Sequence, residues 1–440
     1  MRARRPLFSR VHAGLLMLAL TSWMTAQAAG DVSVRADDLA AIGRLAFFDT
    51  SLSASHKLSC ATCHDPAHAF APANALPVQF GGPDAHRQGT RATPSLLYLQ
   101  ATIPFVERRF DDDDGGDADD AVPTGGLTWD GRVDTLREQA LIPLFNVNEM
   151  ANVDAAALSR SVAAAPYANA FRAAFSVPGD DVFRHPDDVV RDLTLALEAY
   201  QRQSPEFQPF TSKYDAFLRG QVPLSKKERR GLALFDDPEK GNCASCHPNT
   251  ISPRGAMPSF TDFGHVAIGV PRNRSLASNR DPAHFDLGLC GPERTDLVRH
   301  TDFCGAFITP TLRNVATRGS FFHNGAFHSL RDVMRWYVQR DTNPARWYPR
   351  NADGSVRKYD DLPPAYRDNV NAEVPFKPTD THRPRLNERE IDDLIAYLET
   401  LTDGYRVPKK QAAPPGRSRI NAGATPVQQA LGETQHDKQD

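Results

Sequence analysis

The chain has 440 residues, 40% of them hydrophobic and 24% charged, with a formal net charge of −3. That length allows two or three domains of about 150 residues and a sizeable core. The near-even charge gives no reason to expect nucleic acid as a partner, since phosphate binding needs a basic excess, and the apolar content excludes disorder throughout.

The N-terminus reads as a secretory signal, 1–28. Arg2, Arg4 and Arg5 precede a short apolar run within 13–23, and Ala26-Gln27-Ala28 supplies the small-x-small pattern for cleavage after Ala28. The run is shorter than the roughly 20 residues that span a bilayer. No second apolar run follows, so no membrane anchor is expected after cleavage, and the mature chain is expected in an oxidising compartment such as a periplasm.

A charged, helix-like run at 32–42 leads into Gly-Arg-Leu-Ala-Phe-Phe-Asp at 43–49 and then Cys60-Ala-Thr-Cys63-His64. The order recurs: a run at 225–230, Gly-Leu-Ala-Leu-Phe-Asp-Asp at 231–237, then Cys243-Ala-Ser-Cys246-His247. Two thiols a turn apart can each add to one vinyl group of a haem, and the following His then offers the iron an imidazole nitrogen. A redox CxxC or half a zinc site does not explain a His after both pairs. The expectation is two c-type haems, with His64 and His247 as iron ligands. The fold is expected to be mainly α, with two cytochrome c-like domains, 29–205 and 206–407, one haem each, and long loops between helices.

Between the motifs, the acidic stretch 111–120 reads as a solvated loop, with a docking patch for a basic protein as the functional alternative. Apolar residues recur at helix period over 187–203 (Val189, Val190, Leu193, Leu197, Tyr200) and over 387–401 (Ile391, Leu394, Ile395, Leu398, Leu401). Cys290 and Cys304 lie outside any CxxC, and in an exported chain they are expected to pair with each other. The tail 408–440 is polar and aperiodic, and is expected to be disordered.

A carrier fills both axial positions of each iron, whereas a peroxidase leaves one open. On the second haem, Leu330, Val333, Met334 and Tyr337 share one helix face, and either Met334 or Tyr337 could point at the iron. On the first, His68 is too near His64 in sequence to reach the opposite face. His86 is far enough away, though a loop His more often faces solvent.

These stretches, with Trp129-Asp-Gly-Arg132 through Glu149-Met150 and Pro310-Thr-Leu-Arg-Asn314 through Phe322-His323-Asn324-Gly325, resemble the bacterial di-haem cytochrome c peroxidases, and more closely their MauG-like branch. The resemblance covers roughly 39–401. It implies that Trp129 lies between the haems, that Gln139, Pro143 and Glu149 belong to the pocket over the first haem, that His323 is an inter-haem histidine, and that Tyr337 stands where ordinary members place a Met ligand. Ordinary members also carry a His where this chain has Phe80, so an open first haem is expected at rest. The family's calcium is often held by an Asn two residues before a Pro; Ala92 stands there, before Pro94, which leaves calcium doubtful. The implied chemistry is reduction of hydrogen peroxide at the first haem, with Glu149 moving the proton and Gln139 orienting the peroxide, and Trp129 passing oxidising equivalents to a His247/Tyr337 second haem. The electrons would come from a small cytochrome c or copper protein. The alternatives are oxidation of a protein substrate's side chain, as in MauG, or a non-catalytic carrier or redox sensor.

Overall fold

The computed structural model describes residues 37–109 and 121–408. The expected signal, the acidic stretch 111–120 and the tail from 409 lie outside the described residues. Helix makes up 38% and strand 7%, in agreement with a mainly α chain. The helices are α1 (37–47), α2 (Cys60–Cys63), α3 (Leu136–Phe145), α4 (Ala155–Ala164), α5 (Ala168–Phe175), α6 (Pro186–Gln203), α7 (Lys213–Leu218), α8 (Lys226–Asp236), α9 (Leu330–Gln339) and α10 (Glu388–Glu399). Three antiparallel strand pairs decorate them: β1 (Phe80–Gly81) with β2 (Arg87–Gln88), β3 (Val106–Arg109) with β4 (Ala121–Thr124), and β5 (His265–Ala267) with β6 (Ala306–Ile308). The β3–β4 pair flanks the acidic stretch. No helix among the described residues is long and apolar enough to cross a membrane.

The sequence repeat is a structural repeat. α1 crosses α6, and α8 crosses α10, each time at a glycine. A Cβ on Gly43 would lie 1.9 Å from the Ala196 carbonyl oxygen, and one on Gly231 would lie 2.1 Å from that of Asp393. The sequence reading ended both helical runs before these glycines, but each lies inside its helix. Glycine costs about 1 kcal/mol in a helix interior relative to alanine. Here the close helix crossing offsets that cost.

Both predicted apolar stripes face inward. α6 delivers Val189, Val190, Leu193, Leu197 and Tyr200 to a core shared with Phe47, Phe171 and Phe207. α10 delivers Ile391, Leu394 and Leu398 to a second core with Trp336 and Tyr397, while Ile395 packs at its edge. These two cores sit behind the two CxxCH segments and hold them in place.

Arg313, within the 310–314 motif, joins the halves. Its wholly buried guanidinium pairs with the equally buried Asp215 at 2.9 and 3.0 Å, donates to the Pro258 carbonyl at 2.9 Å, and lies over the Tyr98 ring. Replacing Arg313 with Ala would strand a buried carboxylate. The expected loss is about 3–5 kcal/mol, read as a lower denaturation midpoint in urea; an unchanged midpoint would refute it.

Cys290 and Cys304 form the expected disulfide, beside a small cluster of Leu289, Leu297, Phe303 and Ala306. A loop of this length confines the unfolded chain enough to contribute about 3 kcal/mol. The double Cys-to-Ser variant should therefore melt earlier than the parent. Equal melting temperatures would show that the bridge adds nothing.

Candidate active site

Both CxxCH motifs open onto one continuous cavity of about 680 Å³. Cys60, Cys63 and His64 line one end, and Cys243, Cys246 and His247 the other. The four thiols are not engaged in disulfides. His64 Nδ1 lies 3.1 Å from the Phe70 carbonyl oxygen, and His247 Nδ1 lies 2.8 Å from that of Phe260. A backbone carbonyl on Nδ1 selects the tautomer with its proton there and leaves Nε2 free to ligate a metal. Burial pushes both imidazoles down to about 4, so each is in the neutral, ligating form. Paired thiols, an oriented imidazole and a mostly apolar lining fit a covalently attached haem at each end.

Over the first motif, α3 and the turn after it bring together the residues predicted for the pocket. Thr135 caps α3 in a reciprocal box with Glu138. Gln139 and Pro143 then line the cavity one turn apart. Pro143 has no N–H, so the helix cannot bond the Gln139 carbonyl in the usual way. The helix ends at Asn146, whose side-chain amide donates to Glu149 Oε1 at 2.7 Å. The backbone N–H of Gly82 clasps the Glu149 carbonyl at 2.7 Å. Burial pushes the Glu149 carboxyl up to about 7; Arg132 and the Asn146 amide oppose this, and Glu293 reinforces it. Phe80 also lines this end of the cavity. His86 is exposed and not part of the lining, and His68 is paired with Asp65 at 2.7 Å. Neither histidine is brought to the cavity.

Also on the cavity wall, Trp129 Nε1 donates to the Ala92 carbonyl at 2.7 Å, and the Ala92 N–H donates to the His323 carbonyl at 2.7 Å. The Trp129 and His323 rings are 6.5 Å apart, and His323 is stacked on Phe307 at 3.6 Å. His323 Nε2 is buried without a partner among the described residues. Next to Ala92, the Arg91 guanidinium pairs with Asp286 at 2.6 and 2.7 Å and with Asp130 at 2.7 Å. The strip carrying the Trp129 acceptor is therefore anchored by a buried ion network. At the other end, α9, capped by Ser329, presents Leu330, Val333, Met334 and Tyr337 to the cavity, the face that spacing predicted. Tyr337 stacks on Phe376 at 5.2 Å, and the Arg340 guanidinium lies 3.8 Å over the same Phe376 ring.

Likeness to known proteins gives the family. Residues 37–223 match the family model described as di-haem cytochrome c peroxidase. The methylamine utilization protein MauG of Paracoccus denitrificans is 34% identical over 385 residues, covering 83% of this chain and 89% of that protein. The chain belongs to the di-haem cytochrome c peroxidase family. The cytochrome c551 peroxidase of Pseudomonas aeruginosa is 28% identical, covering 67% of this chain and 69% of that one. Among solved structures, the diheme peroxidase BthA of Burkholderia thailandensis superposes with a TM-score of 0.72 at 42% identity, over 86% of this chain and 90% of its own.

As a di-haem cytochrome c peroxidase, the protein is an oxidoreductase acting on peroxide and carries two c-type haems. That sets aside the non-catalytic carrier. The di-haem pattern did not reveal every residue of the site. Asn146, which holds Glu149, was missed, although an Asn three residues before a carboxylate at a helix end is a readable turn signal. Arg91, Asp286 and Phe307 carried no sequence signal, because their partners are distant in the chain; Asp130 lies within the Trp129–Arg132 motif, but its pairing with Arg91 was not legible there.

Proposed function

We propose that this is a periplasmic peroxidase in which hydrogen peroxide is reduced at the first haem, which Cys60, Cys63 and His64 would hold, while His247 and Tyr337 would hold a second haem that stores or relays the oxidising equivalents. When bound, the first haem supplies an iron site for peroxide and the electrons that cleave its O–O bond. The observation that carries the reading is a buried carboxyl near neutrality, Glu149, in the cavity of the first CxxCH, with one oxygen tied to Asn146. Its other oxygen accepts the proton from one peroxide oxygen and returns it to the other, so that water leaves. Gln139 cannot titrate; its amide donates to and orients the peroxide. Pro143 keeps that wall of the pocket apolar. Trp129 and His323 lie between the two haem ends, and the indole gives electrons a mid-path stop. The electrons come from a small cytochrome c or a copper protein.

A second reading, oxidation of a protein side chain, draws support from the likeness to MauG and from Tyr337, since an anionic oxygen ligand favours oxidised iron more than a thioether does. The test of the peroxidase reading is electron paramagnetic resonance of the ferric protein. One high-spin and one low-spin haem, with the high-spin signal lost on adding peroxide, is expected. Two low-spin haems inert to peroxide would overturn it.

A further inference from the structure

Arg318 lies between the 310–314 motif and His323 and lines the cavity. Its Nη2 donates to the Thr93 carbonyl at 3.0 Å and its Nε to the Ser320 carbonyl at 3.3 Å. Among the described residues no carboxylate pairs with it. Arginines with little-exposed side chains elsewhere differ: Arg91, Arg272, Arg294, Arg313 and Arg340 each have an aspartate partner. Burial alone acts on Arg318 and pushes its guanidinium down to about 10, whereas the Asp286 and Asp130 carboxylates outweigh burial and hold Arg91 up. The Arg318 charge reaches His64. An uncompensated cation on the wall of a largely apolar cavity is costly unless a bound group supplies the missing anion. The two carbonyls use two of its five N–H donors; both Nη1 hydrogens and one on Nη2 remain for a planar, two-oxygen acceptor.

We propose that Arg318 is the counter-cation for a propionate carboxylate of the first haem. A haem bound through Cys60, Cys63 and His64 carries two ionised carboxylates into the cavity that Arg318 lines. The Thr93 and Ser320 carbonyls fix the guanidinium from behind and leave its free edge for the carboxylate, a charge-assisted contact. Arg318 is thus a positioning residue: it orients the first haem and offsets negative charge beside the iron, which favours the ferrous state. The inference rests on the family's c-type haems and not on the roles given to Glu149 or Tyr337.

The test compares Arg318→Gln and Arg318→Lys in the haem-loaded protein by spectroelectrochemistry and resonance Raman spectroscopy. The Gln variant is expected to lower the first haem's reduction potential and shift a propionate bending mode, with the second haem's potential unchanged as an internal control. The Lys variant should keep the potential close to that of the parent. Parent values of both potential and bending mode in the Gln variant would overturn the proposal. Should the Gln variant load no haem, the Lys variant decides: a shifted bending mode supports the contact, and an unshifted one refutes it. Neither readout involves peroxide turnover, so failure of the Glu149 chemistry would leave this result untouched.

Discussion

Glu149→Gln is expected to lower kcat/KM for hydrogen peroxide by about 10² to 10⁴-fold, the range of a positioned acid–base group. Both haem spectra should survive, because Gln keeps the shape and can still meet the Asn146 amide through its carbonyl. The pH dependence gives a sharper check. The carboxyl is raised to about 7, chiefly by burial. Only its ionised form can take a proton from peroxide, so kcat/KM should rise with pH through about 7 in the parent, and the Gln variant should lose that limb. Stability runs the other way. A carboxyl whose value is raised on folding favours the fold most below its ordinary value of 4.5, and that contribution is lost as pH climbs past about 7. The parent should therefore lose stability between these values relative to the variant. Identical pH–rate profiles for the two proteins would remove Glu149 from the mechanism.

Tyr337→Phe is expected to abolish the low-spin signal of the second haem, while Met334→Leu should leave it intact. Both side chains line the cavity from one face of α9, so position alone does not separate them. Their surroundings differ. Tyr337 is braced by Phe376, and the Arg340 charge opposes the rise that burial imposes on the phenol. A cation near the ring eases the loss of the proton that iron binding requires. Tyr337→Met should restore a low-spin haem at a higher potential, because a thioether stabilises oxidised iron less than an anionic oxygen does. If the Phe variant keeps its signal and the Leu variant loses it, the ligand is Met334.

Much of this was legible in the sequence because covalent haem attachment needs contiguous residues. Two CxxCH motifs and their preceding glycine-led segments pointed to the cofactor class and the repeat, and apolar residues at helix period gave the stripes of α6 and α10. The residues that set the electrostatics were not legible. Arg91 meets Asp286 across 195 positions, and Arg132 and Glu293 act on Glu149 from different segments. Arg318 reads in sequence as an ordinary loop arginine; only its place on the cavity wall without a carboxylate partner marks it. The glycines were readable as motif positions but not as helix interiors, since propensity places Gly at helix ends and only the crossing helix reveals why it is tolerated.

The hydrogen bond from Trp129 to the Ala92 carbonyl bears on how long charge rests on the indole. Once oxidised, an indole becomes a far stronger acid than the neutral ring, and what happens next depends on its neighbour. A carboxylate would take the proton and leave a long-lived neutral radical. An amide oxygen is far too weak a base to keep it. On the proposed route through Trp129, the ring would therefore hold a cation that is quick to take its electron back, a way-station and not a trap.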